Sequence, residues 1–239
     1  MGIEDDLIIA IDGPAGAGKS TIAKEVAKEL GFGYLDTGAM YRAVTLKVLQ
    51  NKLDFSRPED LYSFTRSSKI EFEKKAGTSF LSVFLDDNDV TEDIRNPEVS
   101  KHVSEVSKIP EIREWMTKLQ RDIGAKGKWV VDGRDIGTVV FPSAAVKIFL
   151  TASIQERGKR RFNELHSKGF SGNLETMVHE ISKRDETDST RATAPLKQAN
   201  DAVLLDTTNM DIEMVVKKVI EIATAKAGNT YGGPNGRSE

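Results

Sequence analysis

Residues Gly13-Pro14-Ala15-Gly16-Ala17-Gly18-Lys19-Ser20-Thr21 satisfy the pattern G-x-x-x-x-G-K-[ST] in full. They follow the apolar run LIIAI at 7–11 and precede TIAKEVAKEL, where Ile22, Val26, Ala27 and Leu30 recur at helical spacing. Such a segment commits the chain to a strand, a glycine turn and a helix. The turn lets backbone N–H groups converge on phosphate oxygens, and the helix N-terminus adds a favourable dipole. Lys19, expected to be exposed, reaches the β and γ phosphates, and Ser20 or Thr21 offers a hydroxyl to Mg2+. A turn shaped by glycine for geometry alone would not require Lys-Ser at its end.

Four further apolar runs read as buried strands: FGYL at 32–35, WVV at 129–131, VKIFL at 146–150 and AVLLD at 202–206. Helical patterns separate most of them, and IEMVVKKVIEIATAK closes the series. Strands alternating with helices predict an α/β fold with a doubly wound, parallel, five-stranded sheet. The interval 36–128 breaks this rhythm. KIEFEKK at 69–75 and FLSVFLDD at 80–87 alternate at period two around Ala76-Gly77-Thr78-Ser79, which predicts an inserted antiparallel hairpin. Helices are expected over about 97–107 and 110–124, the second opened by Pro110. The polar, glycine-rich end of the chain, 227–239, is expected to be a disordered tail.

The chain has 239 residues, enough for one large domain with an insert. It has no cysteine, which removes disulfides, thiolate nucleophiles, zinc-thiolate sites and iron-sulfur clusters together. His102, His166 and His179 lie at no metal-ligand spacing, so catalysis falls to Lys, Arg, Asp, Ser or Thr. A net charge of -3 argues against a protein that coats nucleic acid. The start MGIEDD is acidic where a secretory signal is basic, and no run is long enough to span a bilayer. These features predict a cytoplasmic protein with neither nucleic acid nor membrane as partner. Nothing in the pattern enforces a dimer, so a monomer is expected.

In an open parallel sheet, ligands bind at the carboxyl ends of the strands. LDTGAMYR at 35–42 and VDGRDIGT at 131–138 leave such ends, so Arg42, Arg134 and Asp135 should share the crevice of the glycine turn. Asp36 also suits the cap of the next helix, and Tyr41 suits a core position. Arg157, Arg160 and Arg161 share a helical face, which is either a solvated surface or a group facing the phosphates. Arg184, Asp188 and Arg191, spaced by four and three, would project from one side of a helix. This is either an ordinary salt-bridged surface helix or a site, since two guanidiniums flanking a carboxylate suit an anionic ligand with hydroxyls. Asn51-Lys52-Leu53-Asp54 imitates a guanine-reading motif but reads more simply as a solvated helix end.

GPAGAGKST, LDTGAMYRA, DGRDIGTVVFP and RDETDSTRATAPL together resemble the bacterial-type cytidylate kinases, over about residues 8–225. The resemblance implies transfer of the γ-phosphoryl group of ATP to CMP or dCMP with Mg2+, in a fold with a P-loop core, an acceptor-binding part and a helical lid. It implies a core of 1–36 and 125–226, a lid of about 153–190 within it, and an acceptor region of 37–124 containing the hairpin. By resemblance Lys19 and the amides of Gly13 to Thr21 hold ATP, and Arg157, Arg160 and Arg161 are lid arginines. Arg42, Arg134 and Arg191 resemble the residues gripping the CMP phosphate, and Arg184 and Asp188 those holding the ribose. Ser104, Arg113 and Asp135 resemble the cytosine-reading set, with Thr37 and Tyr41 lining the same pocket. Asp132 is a candidate to steer the hydration of Mg2+, with Ser20 as the candidate hydroxyl. Rival readings are a small P-loop kinase acting on AMP, UMP or a non-nucleotide alcohol, and a nucleotide switch. The first is disfavoured by Asp135 and the hairpin, the second by the acceptor-side arginines.

Overall fold

The computed structural model describes residues 7–74, 81–167, 169 and 172–230. The uninterrupted apolar sequences form the strands of one sheet, covered on both faces except at the last strand, where Leu204 stays exposed. They are β1 (Leu7–Asp12), β2 (Gly33–Asp36), β6 (Lys128–Gly133), β7 (Val146–Thr151) and β8 (Val203–Asp206). Their order in the sheet is β2-β6-β1-β7-β8, and each neighbouring pair is parallel. β1 is central, with Ile9, Ala10 and Ile11 fully buried.

Two helices cover one face of this sheet. α1 (Lys19–Leu30) and α8 (Ile212–Thr230) pack Ile22, Val26, Val215 and Val219 against Ile9, Ile11, Val130 and Ile148. α8 runs to Thr230, so the expected tail begins inside a helix, and 231–239 lie outside the described residues. On the opposite face Ala10, Leu35 and Val131 meet Ile136 and Val140 of a short π-helical turn, Ile136–Val140.

The interval after β2 supplies a separate apolar cluster. It holds α2 (Thr37–Gln50), α3 (Pro58–Thr65), α4 (Pro97–Ser107) and α5 (Pro110–Gly124). The expected hairpin forms from β3 (Ile70–Lys74) and β4 (Leu81–Leu85), antiparallel with Ile70 opposite Leu85. Its connecting turn falls outside the described residues. A third strand, β5 (Asn88–Asp89), follows a tight turn at Asp86 and Asp87, both with positive φ, the backbone that two-residue hairpins require. Met40, Val44, Leu61, Val83, Ile94, Val103, Ile112 and Met116 close this cluster. α2 belongs to it while its first turn emerges from β2, which ties the insert to the carboxyl edge of the large sheet.

α6 (Ile154–Ser167) and α7 (Leu174–Thr190) pack together after β7. The expected helix through Arg191 ends one residue early. Arg191 is extended, with φ -62° and ψ 143°, and reaches its neighbours from beyond the helix. Among the described residues no helix is long and apolar enough to cross a membrane.

Candidate active site

Gly13 leaves β1 at φ 152°, and a Cβ there would lie 2.0 Å from the Leu150 carbonyl oxygen, so only glycine allows this approach to β7. Gly18, at φ 88°, turns the chain into α1. That helix begins with no side-chain cap and no acidic residue in its first turn, so its first amides are not taken by a capping side chain. Lys19 is buried rather than exposed, because its Nζ curls back to donate to the Pro14 carbonyl at 2.8 Å. Burial, and then the charges of Arg134 and Arg184, hold its pKa well below the usual lysine range.

Of the two candidate hydroxyls only one meets a carboxylate. Ser20 Oγ donates to Asp132 Oδ2 at 2.9 Å, while Thr21 is exposed. Asp132 also accepts from Tyr34 Oη at 2.7 Å. Its pKa is raised by burial and by neighbouring Asp36. Thr37 Oγ1 donates to the Asp132 carbonyl at 2.7 Å, joining the start of α2 to the end of β6. Asp36 fulfils the capping alternative, accepting from Ala39 N at 2.9 Å, and also pairs with Arg42 at 3.0 Å.

Across the crevice the arginines and carboxylates form one network. Arg134 donates to Asp188 at 2.9 Å, Asp188 lies 3.5 Å from Arg191, and Arg191 lies 3.6 Å from Asp135. Asp135 accepts from Arg113 at 2.6 Å, and that guanidinium sits 5.3 Å from the centre of the Tyr41 ring. Tyr41 is therefore both part of the insert's core and in contact with the Arg113–Asp135 pair, its hydroxyl pushed up to about 12 chiefly by burial. Ser104 lies half-buried on α4, its carbonyl accepting from Ser107.

This network carries unmet donors. The Nε atoms of Arg42, Arg113 and Arg184 and Nη2 of Arg191 are buried with no hydrogen-bond partner. Arg184 is pushed down to about 10 by burial and then by the positive charge of Arg134. Clustered cations that repel one another, each with a buried nitrogen left unbonded, call for an anion of complementary geometry.

The arginines of α6 divide. Arg157 is buried, donating to the Ala152 and Ala15 carbonyls and pairing with Asp185. Arg160 bridges Glu156, Thr207 and, at 3.5 Å, the Ala17 carbonyl. Arg161 pairs with Glu164. Arg157 and Arg160 reach the glycine turn, whereas Arg161, half-buried like Arg160, has its bond within its own helix.

Several residues of this region escape a reading of motifs. Asp185 accepts from the Ala15 amide at 2.9 Å, although nothing distinguishes it in sequence from the other acids of α7. Asp12 accepts from the Ile136 and Gly137 amides at 2.8 and 2.7 Å, and burial raises its pKa to about 6. Arg95 approaches Asp36 at 3.9 Å from the insert. The guanine-motif imitation is a helix end, with Asn51 following α2 and Asp54 accepting from Ser56 N.

A sequence model of the family described as cytidylate kinase matches residues 9–225. A protein named cytidylate kinase from Carboxydothermus hydrogenoformans is 52% identical over 218 residues, 91% of this chain and 97% of that protein. Another so named, from Clostridioides difficile, is 49% identical over 215 residues, 90% of this chain and 97% of that one. The crystal structure of an uncharacterized protein from Eubacterium ventriosum aligns at a TM-score of 0.52 with 13% identity, over 92% of this chain and 99% of that one. That last likeness is one of fold.

Proposed function

The chain belongs to the cytidylate kinase family and is a phosphotransferase, and we propose that it passes the γ-phosphoryl group of ATP to CMP and dCMP through the residues described above. The observation that carries the residue assignment is the set of buried, unpartnered guanidinium nitrogens on Arg42, Arg113, Arg184 and Arg191, opposite the uncapped start of α1. A donor phosphate fits the second feature and an acceptor nucleotide the first.

Lys19 and the amides of residues 13–21 hold the donor phosphates. On phosphate binding Lys19 exchanges the Pro14 carbonyl for an anionic oxygen, which restores a stable charge to a buried ammonium. Ser20 and Asp132 offer hard oxygen donors 2.9 Å apart, a set that fits Mg2+ completed by phosphate and water. Among the described residues no cluster of three or more acids or histidines forms an all-protein cage. The ion supplies charge neutralisation at the transferring phosphoryl group. Arg42, Arg134 and Arg191 bind the acceptor phosphate, with Arg184 and Asp188 on the ribose. Arg157, Arg160 and Arg161 belong to the lid, Arg157 acting through the P-loop main chain. Ser104, Arg113 and Asp135 read the base, beside Thr37 and Tyr41. Little covalent chemistry is asked of the protein, and alignment with convergent positive charge supplies the catalysis.

Asp135 accepts from an exocyclic amine such as that of cytosine and opposes the carbonyl that uracil carries there, so selection against UMP is repulsive. We further place the enzyme in the cytoplasm as a monomer, in keeping with its cysteine-free composition and the absence of any pattern enforcing a dimer. A coupled assay offering ATP and Mg2+ with each nucleoside monophosphate tests this reading. Rapid ADP formation with CMP and dCMP is expected. Equal or faster turnover of UMP or AMP would overturn the base assignment, and slow hydrolysis indifferent to acceptor would restore the nucleotide-switch reading.

A further inference from the structure

Asp135 occupies the position preceding the turn Ile136–Val140, where a carboxylate ordinarily accepts from the first free amides of the turn, yet its side chain makes no such bond. Those amides are taken by another residue. Asp12, the last residue of β1, accepts from Ile136 N at 2.8 Å through Oδ1 and from Gly137 N at 2.7 Å through Oδ2. It is 4% exposed and 124 residues away in the chain. The Asp135 carboxylate is thereby left for Arg113 Nη2 at 2.6 Å and for Arg191, on the acceptor side of the crevice.

We propose that Asp12 is a positioning residue for base selection, capping the Ile136–Val140 turn from β1 so that Asp135 keeps its carboxylate toward the acceptor base. This rests on the proposed reading of Asp135. The division of labour is chemical. A carboxylate that turned to cap its own helical turn would present the base pocket with the Arg113 and Arg191 cations and no acceptor for an exocyclic amine. Because Asp12 satisfies both amides, the turn gains nothing by recruiting Asp135. The same residue directly precedes Gly13, so the start of the P-loop and the base-reading turn are held in one register, β1 beside β6 with Asp12 opposite Gly133.

The test is a double-mutant cycle read as the ratio of kcat/KM for CMP to that for UMP. In Asp12→Asn one oxygen still accepts, but the amide nitrogen faces a backbone N–H, donor against donor, and the turn must shift. Asp135→Asn alone is expected to narrow the ratio about ten- to a hundredfold, and Asp12→Asn alone by about tenfold. The double variant should narrow it no further than Asp135→Asn. If Asp12→Asn lowers both efficiencies equally, or if the two effects multiply in the double variant, Asp12 supports the fold only and the inference fails while Asp135 stands. An unchanged ratio in Asp135→Asn overturns both. Should Asp12→Asn not fold, Asp12→Ser keeps one acceptor without an opposed amide, and a ratio identical to the parent's overturns the proposal.

Discussion

Lys19 shows how a side chain can be costly to the fold and central to the proposed chemistry. Burial and the nearby Arg134 and Arg184 depress its pKa, so its charged form is less favoured in the folded protein than in the unfolded chain. Stability tied to a depressed lysine pKa is present above the unfolded value and lost as pH falls through the folded one, so at neutral pH the charge is a net cost. Lys19→Met, which keeps the buried stem, should therefore hold or raise Tm while lowering kcat by about a hundred- to a thousandfold. Melting and steady-state kinetics at neutral pH check both halves, and a lowered Tm with kcat unchanged would refute the assignment. Lys19 was legible from the P-loop pattern alone, because that spacing dictates a phosphate site. Its lowered pKa was not, since the cations that repel it come from the end of β6 and from α7.

α6 carries its three arginines at a spacing visible in sequence, yet their surroundings separate them. Arg157 is embedded against the P-loop carbonyl of Ala15 and Asp185, whereas Arg160 and Arg161 are partly open. Replacing Arg160 and Arg161 together with glutamine should leave Tm nearly unchanged and lower kcat by about a hundredfold, with a much smaller change in KM for CMP. Unchanged kinetics would return both to the role of solvated surface charge. Arg157→Gln should differ from that pair by also lowering Tm, because it leaves Asp185 and the Ala15 carbonyl without their buried partner. α7 makes the complementary point. The spacing of Arg184, Asp188 and Arg191 predicted one helical face, but the helix stops at Thr190. Arg191 joins the network through extended backbone, held by its own bond to the Ala194 carbonyl at 2.7 Å.

At the scale of the whole molecule, the proposed acceptor site draws Arg42 from α2, Arg113 from α5, Arg134 from the end of β6, and Arg184 and Arg191 from α7 and its exit. A nucleotide monophosphate that meets the unbonded guanidinium nitrogens of Arg42, Arg113, Arg184 and Arg191 binds the folded chain and not the unfolded one. At a hundredfold excess over its Kd, CMP should stabilise the enzyme by about 2.7 kcal/mol, several degrees in Tm. Arg184→Met should sharply reduce this shift and leave that produced by ATP largely intact, and an equal CMP shift in parent and variant would remove Arg184 from the acceptor site. The sequence by itself determined the parallel five-stranded sheet, the hairpin insert and the P-loop, because apolar runs, period-two alternation and glycine spacing are local signals. It also placed Arg42, Arg134 and Asp135 at one sheet edge, because strand ends in such a sheet share that edge. The roles of Asp12 and Asp185 were decided only by tertiary structure. Each accepts backbone N–H groups from an element more than a hundred residues away, and main-chain donors carry no sequence mark.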